Sequence, residues 1–213
     1  CEYWPSHVSA LQALGQEPPP VMYQQTPVRW VIDLDPDGQF LGLVVTSSGD
    51  KRDRGKPMLT PHIGRSSGVR AKLLCDNAEY VLGMPKLVDD PEKLKKRAAD
   101  AIEKHEDFQQ VVRMCAVATG ETTVAAVLRF LEDDDQLAAA RSREIGEAAN
   151  LTFRVNGLFP VDLPSVRSFW ADFTVGETDG EEGEVEETEG LTSAHVCRPR
   201  APAPRPCDRT PAG

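Results

Sequence analysis

At 213 residues and a formal net charge of −10, from 24 Lys and Arg against 34 Asp and Glu, the chain is long enough for one or two domains with a real core. At 40% hydrophobic residues it is too apolar for wholesale disorder. No apolar run approaches the ~20 residues of a membrane-spanning helix, which excludes a helical membrane protein.

The charge is uneven. Between Glu177 and Glu189 lie eight acidic residues and no basic one, and without them the formal charge is only −2. Residues 51–72 lean the other way, with Lys51, Arg52, Arg54, Lys56, Arg65, Arg70 and Lys72 against Asp53 alone. Local patches therefore say more about partners than the total does. The start, CEYWPSHVSALQALG, has no basic segment, so no secretory signal is expected. Because Cys1 and not Met comes first, the chain is expected to begin inside its reading frame or after processing.

In chain order, residues 1–14 carry Trp4, Val8, Leu11 and Leu14 near one face of a short helix, which Gly15 and the triple proline at 18–20 end. VRWVIDLD (28–35) and GQFLGLVVT (38–46) then meet across Asp35-Pro36-Asp37-Gly38 as a hairpin. Val28, Trp30, Ile32 and Leu34 share one face of the first strand, and Arg29 and Asp33 the other. Residues 47–72 read as a long basic loop with a few extended stretches. LLCDNAEYVLG (73–83) fits strand or helix equally. Asp89 or Asp90 caps a helix opened by Pro91, with Leu94, Ala98, Ile102 and His105 at helical spacing. Further helices follow at 106–117, 122–132 and 136–149, the last capped within Asp133–Asp135. LTFRVNG (151–157) returns to a strand pattern, and Pro164 opens a last helix with Val166, Phe169 and Trp170. Past Gly176 the acidic stretch and the Pro/Arg-rich end cannot offset their ordering entropy by burial, so residues 176–213 are expected to be a disordered tail behind a domain over 1–175. The fold class is α+β, an antiparallel hairpin-based sheet with a helical middle segment, which the strand near 151–156 can rejoin.

Catalytic patterns are absent: the sequence has no GxSxG, GxxxxGK[ST] or HExxH, and His7, His62, His105 and His195 stand alone. The chain is not expected to be an enzyme, and no cofactor is called for. Cys1, Cys75, Cys115, Cys197 and Cys207 form no CxxC pair, which suits free thiols in a reducing cytoplasm. Cys75 and Cys115 sit among apolar neighbours and should pack as small hydrophobes. His195, Cys197 and Cys207 lack a fourth ligand, so no metal site is expected. The basic loop suits phosphates. A solvated surface loop is the more economical reading of its composition. Asn77, beside Asp76 in an apolar run, suits either a base edge or a structural turn.

Three stretches in order, TPVRWVIDLDPDGQFLGLV, RSSGVRAKLLCDNAEYVLG and FRVNGLFPVDLPSVRSFW, resemble the N-terminal part of the CRISPR-associated Csd large subunit of type I-C (Dvulg-type) Cascade complexes. Arg65, Ser67, Gly68, Leu74, Cys75, Asp76, Asn77, Tyr80, Leu82 and Gly83 carry the middle motif. Phe153, Arg154, Asn156, Gly157, Pro164, Arg167 and Trp170 carry the third. The resemblance covers roughly residues 1–173 and stops after the acidic stretch. VCRPRAPAPRPCDRTPAG looks like GC-rich DNA read out of frame, so a truncated or frameshifted product is expected. The resemblance implies a non-catalytic subunit of an RNA-guided antiviral complex that inspects duplex DNA for the short PAM tag and helps open it. Its partners would be crRNA, other Cascade subunits, the target duplex and a recruited helicase–nuclease, with no membrane. On that footing Lys51, Arg52, Arg54 and Lys56 would meet phosphates, and Arg65, Arg70, Lys72 and Asn77 would lie nearest the PAM. The alternative roles are a structural module docking on the crRNA 5′ handle and backbone subunits without touching DNA, a small hydrolase or nuclease, or a product without function.

Overall fold

The structure, a computed structural model, describes residues 22–48, 50, 52–65, 68–143, 145 and 149–181, with side chains as far as Val175. The helix expected over residues 1–14, Lys51 and the chain past Glu181 lie outside the described residues.

The hairpin forms between β2 (Trp30–Leu34) and β3 (Phe40–Val45). Its turn is held by Asp35, whose Oδ1 accepts the N–H groups of Asp37 at 2.9 Å and Gln39 at 2.8 Å. Gly38 closes it at φ +89°, where an added Cβ would stand 2.6 Å from the Ala126 carbonyl oxygen. The turn is therefore pressed onto the helix that carries Ala126.

The first strand is shorter than its alternation suggests. Val28 ends a separate strand, β1 (Tyr23–Val28), which pairs antiparallel with β4 (Lys56–Pro61) in a two-stranded ribbon. β4 lies inside the segment expected to be mostly loop. Its prolines, Pro57 and Pro61, hide the strand from a propensity reading. Opposite Pro57 stands Pro27, so both edges of the ribbon lose donors and resist further pairing.

The main sheet has the order β3-β2-β6-β5, with β5 (Cys75–Asn77) and β6 (Asn150–Val155). β6 does rejoin the hairpin sheet, parallel to β2, while the β2–β3 and β5–β6 pairs are antiparallel. The undecided segment 73–83 resolves as both alternatives: β5 passes directly into α1 (Ala78–Leu82).

Between β5 and β6 run α1, α2 (Pro91–Thr119), α3 (Thr122–Glu132) and α4 (Asp134–Arg141). Asp90 caps α2 by accepting from Glu92 N–H at 3.0 Å and Lys93 N–H at 3.3 Å, and Asp133 caps α4 through Asp135 N–H at 3.0 Å and Gln136 N–H at 3.2 Å. The two helices expected over 91–117 are one continuous helix of 29 residues. Its buried face is Ala101, His105, Phe108, Val111, Val112 and Cys115. The expected stripe through Ile102 is corrected, since that side chain is 58% exposed. α4 ends at Arg141 and not near residue 149. A 3-10 turn (Pro160–Asp162) leads into α5 (Pro164–Glu181), which runs past the boundary drawn at Gly176. Fully buried Trp170 on α5 donates its indole N–H to Met22 O at 3.1 Å.

The helices cover one face of the sheet. Phe153 of β6 sits with its ring 6.3 Å from that of Phe108 and 6.0 Å from that of Phe130. Cys75 and Cys115 are buried free thiols, and desolvation raises both to a pKa of about 12. His105 ties three helices together. Its Nδ1–H donates to Tyr80 O at 2.9 Å, and Gln109 of the next turn bridges its Nε2 to Leu131 O. Burial lowers its pKa, so the folded state holds it neutral. That stabilisation is complete above the unfolded-state value near ~6.5 and is lost as pH falls below it, because the unfolded chain then binds the extra proton. The stability gap between the parent and a His105→Gln variant is therefore expected to narrow from pH 7.5 to about pH 5.5 in urea titrations.

Candidate nucleic-acid interface

The middle motif folds around one buried carboxylate. Asp76, 3% exposed, accepts N–H groups from Lys72 at 3.0 Å through Oδ2 and from Asn77 at 2.8 Å through Oδ1, and it pairs with the Arg65 guanidinium. Arg65 also donates Nε–H to Arg70 O at 2.6 Å and lies 4.2 Å over the Tyr80 ring. Both ends of the 65–72 loop are thus fastened to Asp76. Ala71 N–H donates to Asp107 on α2 at 2.6 Å, which fixes the loop from the helix side. Asn77 acts as the N-cap of α1, its Oδ1 accepting from Glu79 N–H at 3.0 Å. Arg65 and Asn77 are therefore built into the scaffold. Lys72 is half-buried, and its ammonium has no ion pair among the described residues.

A second clamp shapes the segment after β3. Asp53 accepts Ser48 N–H at 2.6 Å, Ser48 Oγ–H at 2.7 Å and Gly55 N–H at 2.8 Å. Those bonds, the Ser48 N–H first, lower its carboxyl pKa to about 2. Thr46 closes the base of the loop, accepting Lys56 N–H at 3.1 Å and donating to Val28 O. Around this frame Arg52, Arg54 and Lys56 are exposed, and none has an ion pair among the described residues.

The structure thus brings the predicted cations together as two groups rather than one patch. Arg52, Arg54 and Lys56 stand at one end of β4. Arg65 and Lys72 stand at the other, beside His62, whose pKa is lowered first by its own burial and then by the charges of Lys72 and Arg65. β4 has six residues, and at about 3.4 Å per residue the ends lie roughly 17 Å apart.

A family model described as CRISPR-associated protein (Cas_Csd1) matches residues 7–191. The chain belongs to the Cas_Csd1 family. Membership places it among the CRISPR-associated subunits of Cascade complexes. A search of curated proteins finds no match.

Most of the Cas_Csd1-like motif residues that the structure describes serve as joints of the fold. Arg154 of β6 grips Asp33 of β2 across the parallel pair at 2.9 and 2.7 Å. Asn156 (φ +48°) and Gly157 (φ +81°) form a tight left-handed turn, with Asn156 N–H bonded to Leu34 O at 3.0 Å. Gly83 (φ +61°) ends α1 below Arg141, which donates to Leu82 O at 2.6 Å. Two cations that the sequence reading passed over also join the site. Arg29 adds its charge beside Asp53, and Lys104 of α2 pairs with Glu79 at 2.9 Å while lying 5.7 Å from the Tyr80 ring centre. The alternation around Arg29 marked it as facing away from the strand's apolar side, but nothing local marked the loop that folds over it. Among the described residues no group of His, Cys, Asp or Glu is placed to hold a metal ion, and no helix is long and apolar enough to cross a membrane.

Proposed function

We propose that this Cas_Csd1 subunit binds the PAM-bearing duplex of target DNA as a non-catalytic reader within its RNA-guided complex, with the ribbon end of Arg52, Arg54 and Lys56 on the phosphates. The observation that carries this is the pinned loop itself. Among the described residues Arg52, Arg54 and Lys56 are exposed and have no ion pair, on a loop held by Asp53 and Thr46 beside a ribbon, while Arg65 at the other end of β4 is used internally. Duplex DNA presents a charge every ~1.7 Å, so three cations grouped at one end of the ribbon can meet neighbouring phosphates together. Lys72, at the far end, is the cation best placed for discrimination, since its backbone is fixed by Asp76 while its ammonium has no ion pair among the described residues.

The test is duplex binding by the assembled complex as a function of salt. Arg52→Ala and Arg54→Ala are each expected to flatten the log–log salt slope by about 0.9 and to weaken PAM and non-PAM duplexes alike. Lys72→Ala is expected to narrow the difference between the two duplexes. Slopes and preferences equal to the parent's would remove the proposal and favour docking without DNA contact.

A further inference from the structure

The two sheets treat their edges differently. The β1–β4 ribbon is blunted by Pro27, Pro57 and Pro61. The outer strand of the main sheet, β3, is FLGLVV, without charge or proline, and Leu41 is 64%, Val44 39% and Val45 51% exposed. Among the described residues no strand pairs with its outer edge. Thr46 N–H turns inward to Arg29 O at 3.0 Å, and the alternation of an antiparallel ladder then sends the Leu43 and Val45 amides to the solvent side. Among the described residues only the first outward amide, that of Phe40, has a partner, Gln136 Oε1 of α4 at 2.8 Å. An uncharged edge of this kind is one that soluble chains ordinarily guard.

We propose that β3 is a strand-addition site for an extended segment of a different protein, apolar and uncharged along its length and basic at the end that lies over Phe40. The backbone edge specifies the extended form, because only a strand satisfies a row of alternating donors and acceptors. The charge at the Phe40 end specifies the basic residue. Asp37 and Asp134 line the hollow there with no ion pair among the described residues, whereas Glu132 beside them is paired with Arg113 at 2.7 Å and Asp133 caps α4. The one cation in that hollow, Arg129, is already donating to Pro36 O at 2.8 Å and Asp37 O at 3.0 Å. A second copy of this chain fits less well, since its own β3 has no basic residue to offer the hollow. The site is remote in sequence from the Asp76 motif and does not depend on the duplex reading.

The probe is an acetylated peptide of alternating Val and Thr with one terminal Lys, added to the full chain and followed by amide hydrogen exchange. Saturable slowing at Leu43 and Val45 is expected, with little change in the β1–β4 ribbon. A peptide N-methylated along one edge should give no protection, and one with Glu replacing Lys should bind several-fold more weakly. The double variant L41K/V45K alters only exposed side chains, so its unfolding midpoint should stay near the parent's while protection is lost. The N-methylated peptide tests the same point on the unaltered chain. No slowing at any peptide concentration, equal slowing by the N-methylated peptide, or concentration-dependent protection of β3 without peptide would each overturn the proposal, the last by assigning the edge to self-association.

Discussion

Asp76→Ala is expected to lower stability by about 3 kcal/mol, because two backbone N–H groups lose their acceptor and each such loss costs about 1–3 kcal/mol. For a chain of 213 residues that corresponds to a fall in Tm of roughly 6–12 °C. The cost does not come mainly from the ion pair. Arg65 keeps 27% of its side chain in water and remains over the Tyr80 ring, so its charge is not stranded when the carboxylate goes. The N–H groups of Lys72 and Asn77 have no such escape, since the carboxylate they bond is itself 3% exposed. Asp76→Asn should recover little, because its NH₂ group would face donors in place of an acceptor. Arg65→Lys keeps the charge but loses the fork and the stacking, and should cost only about 1 kcal/mol. Thermal and urea unfolding of the three variants checks the order. An Asp76→Ala chain as stable as the parent, or an Arg65→Lys chain less stable than it, would show that the carboxylate is not the latch of the loop.

The hairpin, the caps at Asp90 and Asp133 and the return of residues 151–156 to the sheet were legible because each is a local rule. Asp35-Pro36-Asp37-Gly38 dictates a turn, Asp before Pro91 dictates a start, and FRV alternates. What escaped was set by partners distant in sequence. Whether Val28 begins one strand or ends another depends on residue 55 lying against it. β4 is a strand because β1 accepts it, not because KPMLTP prefers to be one. The stripe on α2 was right at His105 and wrong at Ile102, whose neighbour Ala101 is the buried residue. Charged residues crowd its first turns, and the core is chosen by Phe153 and Phe130 opposite Phe108. In the candidate site, the sequence set Lys51, Arg52, Arg54 and Lys56 on phosphates and Arg65, Arg70, Lys72 and Asn77 nearest the PAM, without regard to what each side chain does inside the fold. The structure separates them by what each donor and acceptor already does: Asn77 caps, Arg65 latches, and Arg70 offers its carbonyl to Arg65.

Gly55→Ala is the variant in which fold and proposed function meet. At φ +105° an added Cβ would stand 2.0 Å from Val28 O, 2.5 Å from Val28 C and 2.6 Å from Arg29 Cα. All three atoms are backbone, so no rotamer relieves the overlap, and the φ itself costs a residue with a side chain about 1–3 kcal/mol. Val28 is wholly buried at the end of β1, so the loop has to lift away from it. The lift breaks the Gly55 N–H bond to Asp53 and carries Arg52, Arg54 and Lys56 with it. Stability is expected to fall by about 2–3 kcal/mol. The sharper expectation concerns binding. Gly55→Ala changes no charge, yet it should flatten the salt slope of duplex binding by more than the ~0.9 expected of removing one arginine, because several cations leave their phosphates together. Gly64→Ala, with nothing within 4 Å of the new Cβ, is the matched control and should leave both quantities near the parent's. Lost stability with an unchanged slope would show that Gly55 packs the ribbon but that its loop does not meet DNA. A flattened slope without a charge change would tie duplex binding to the shape of the loop as well as to its composition.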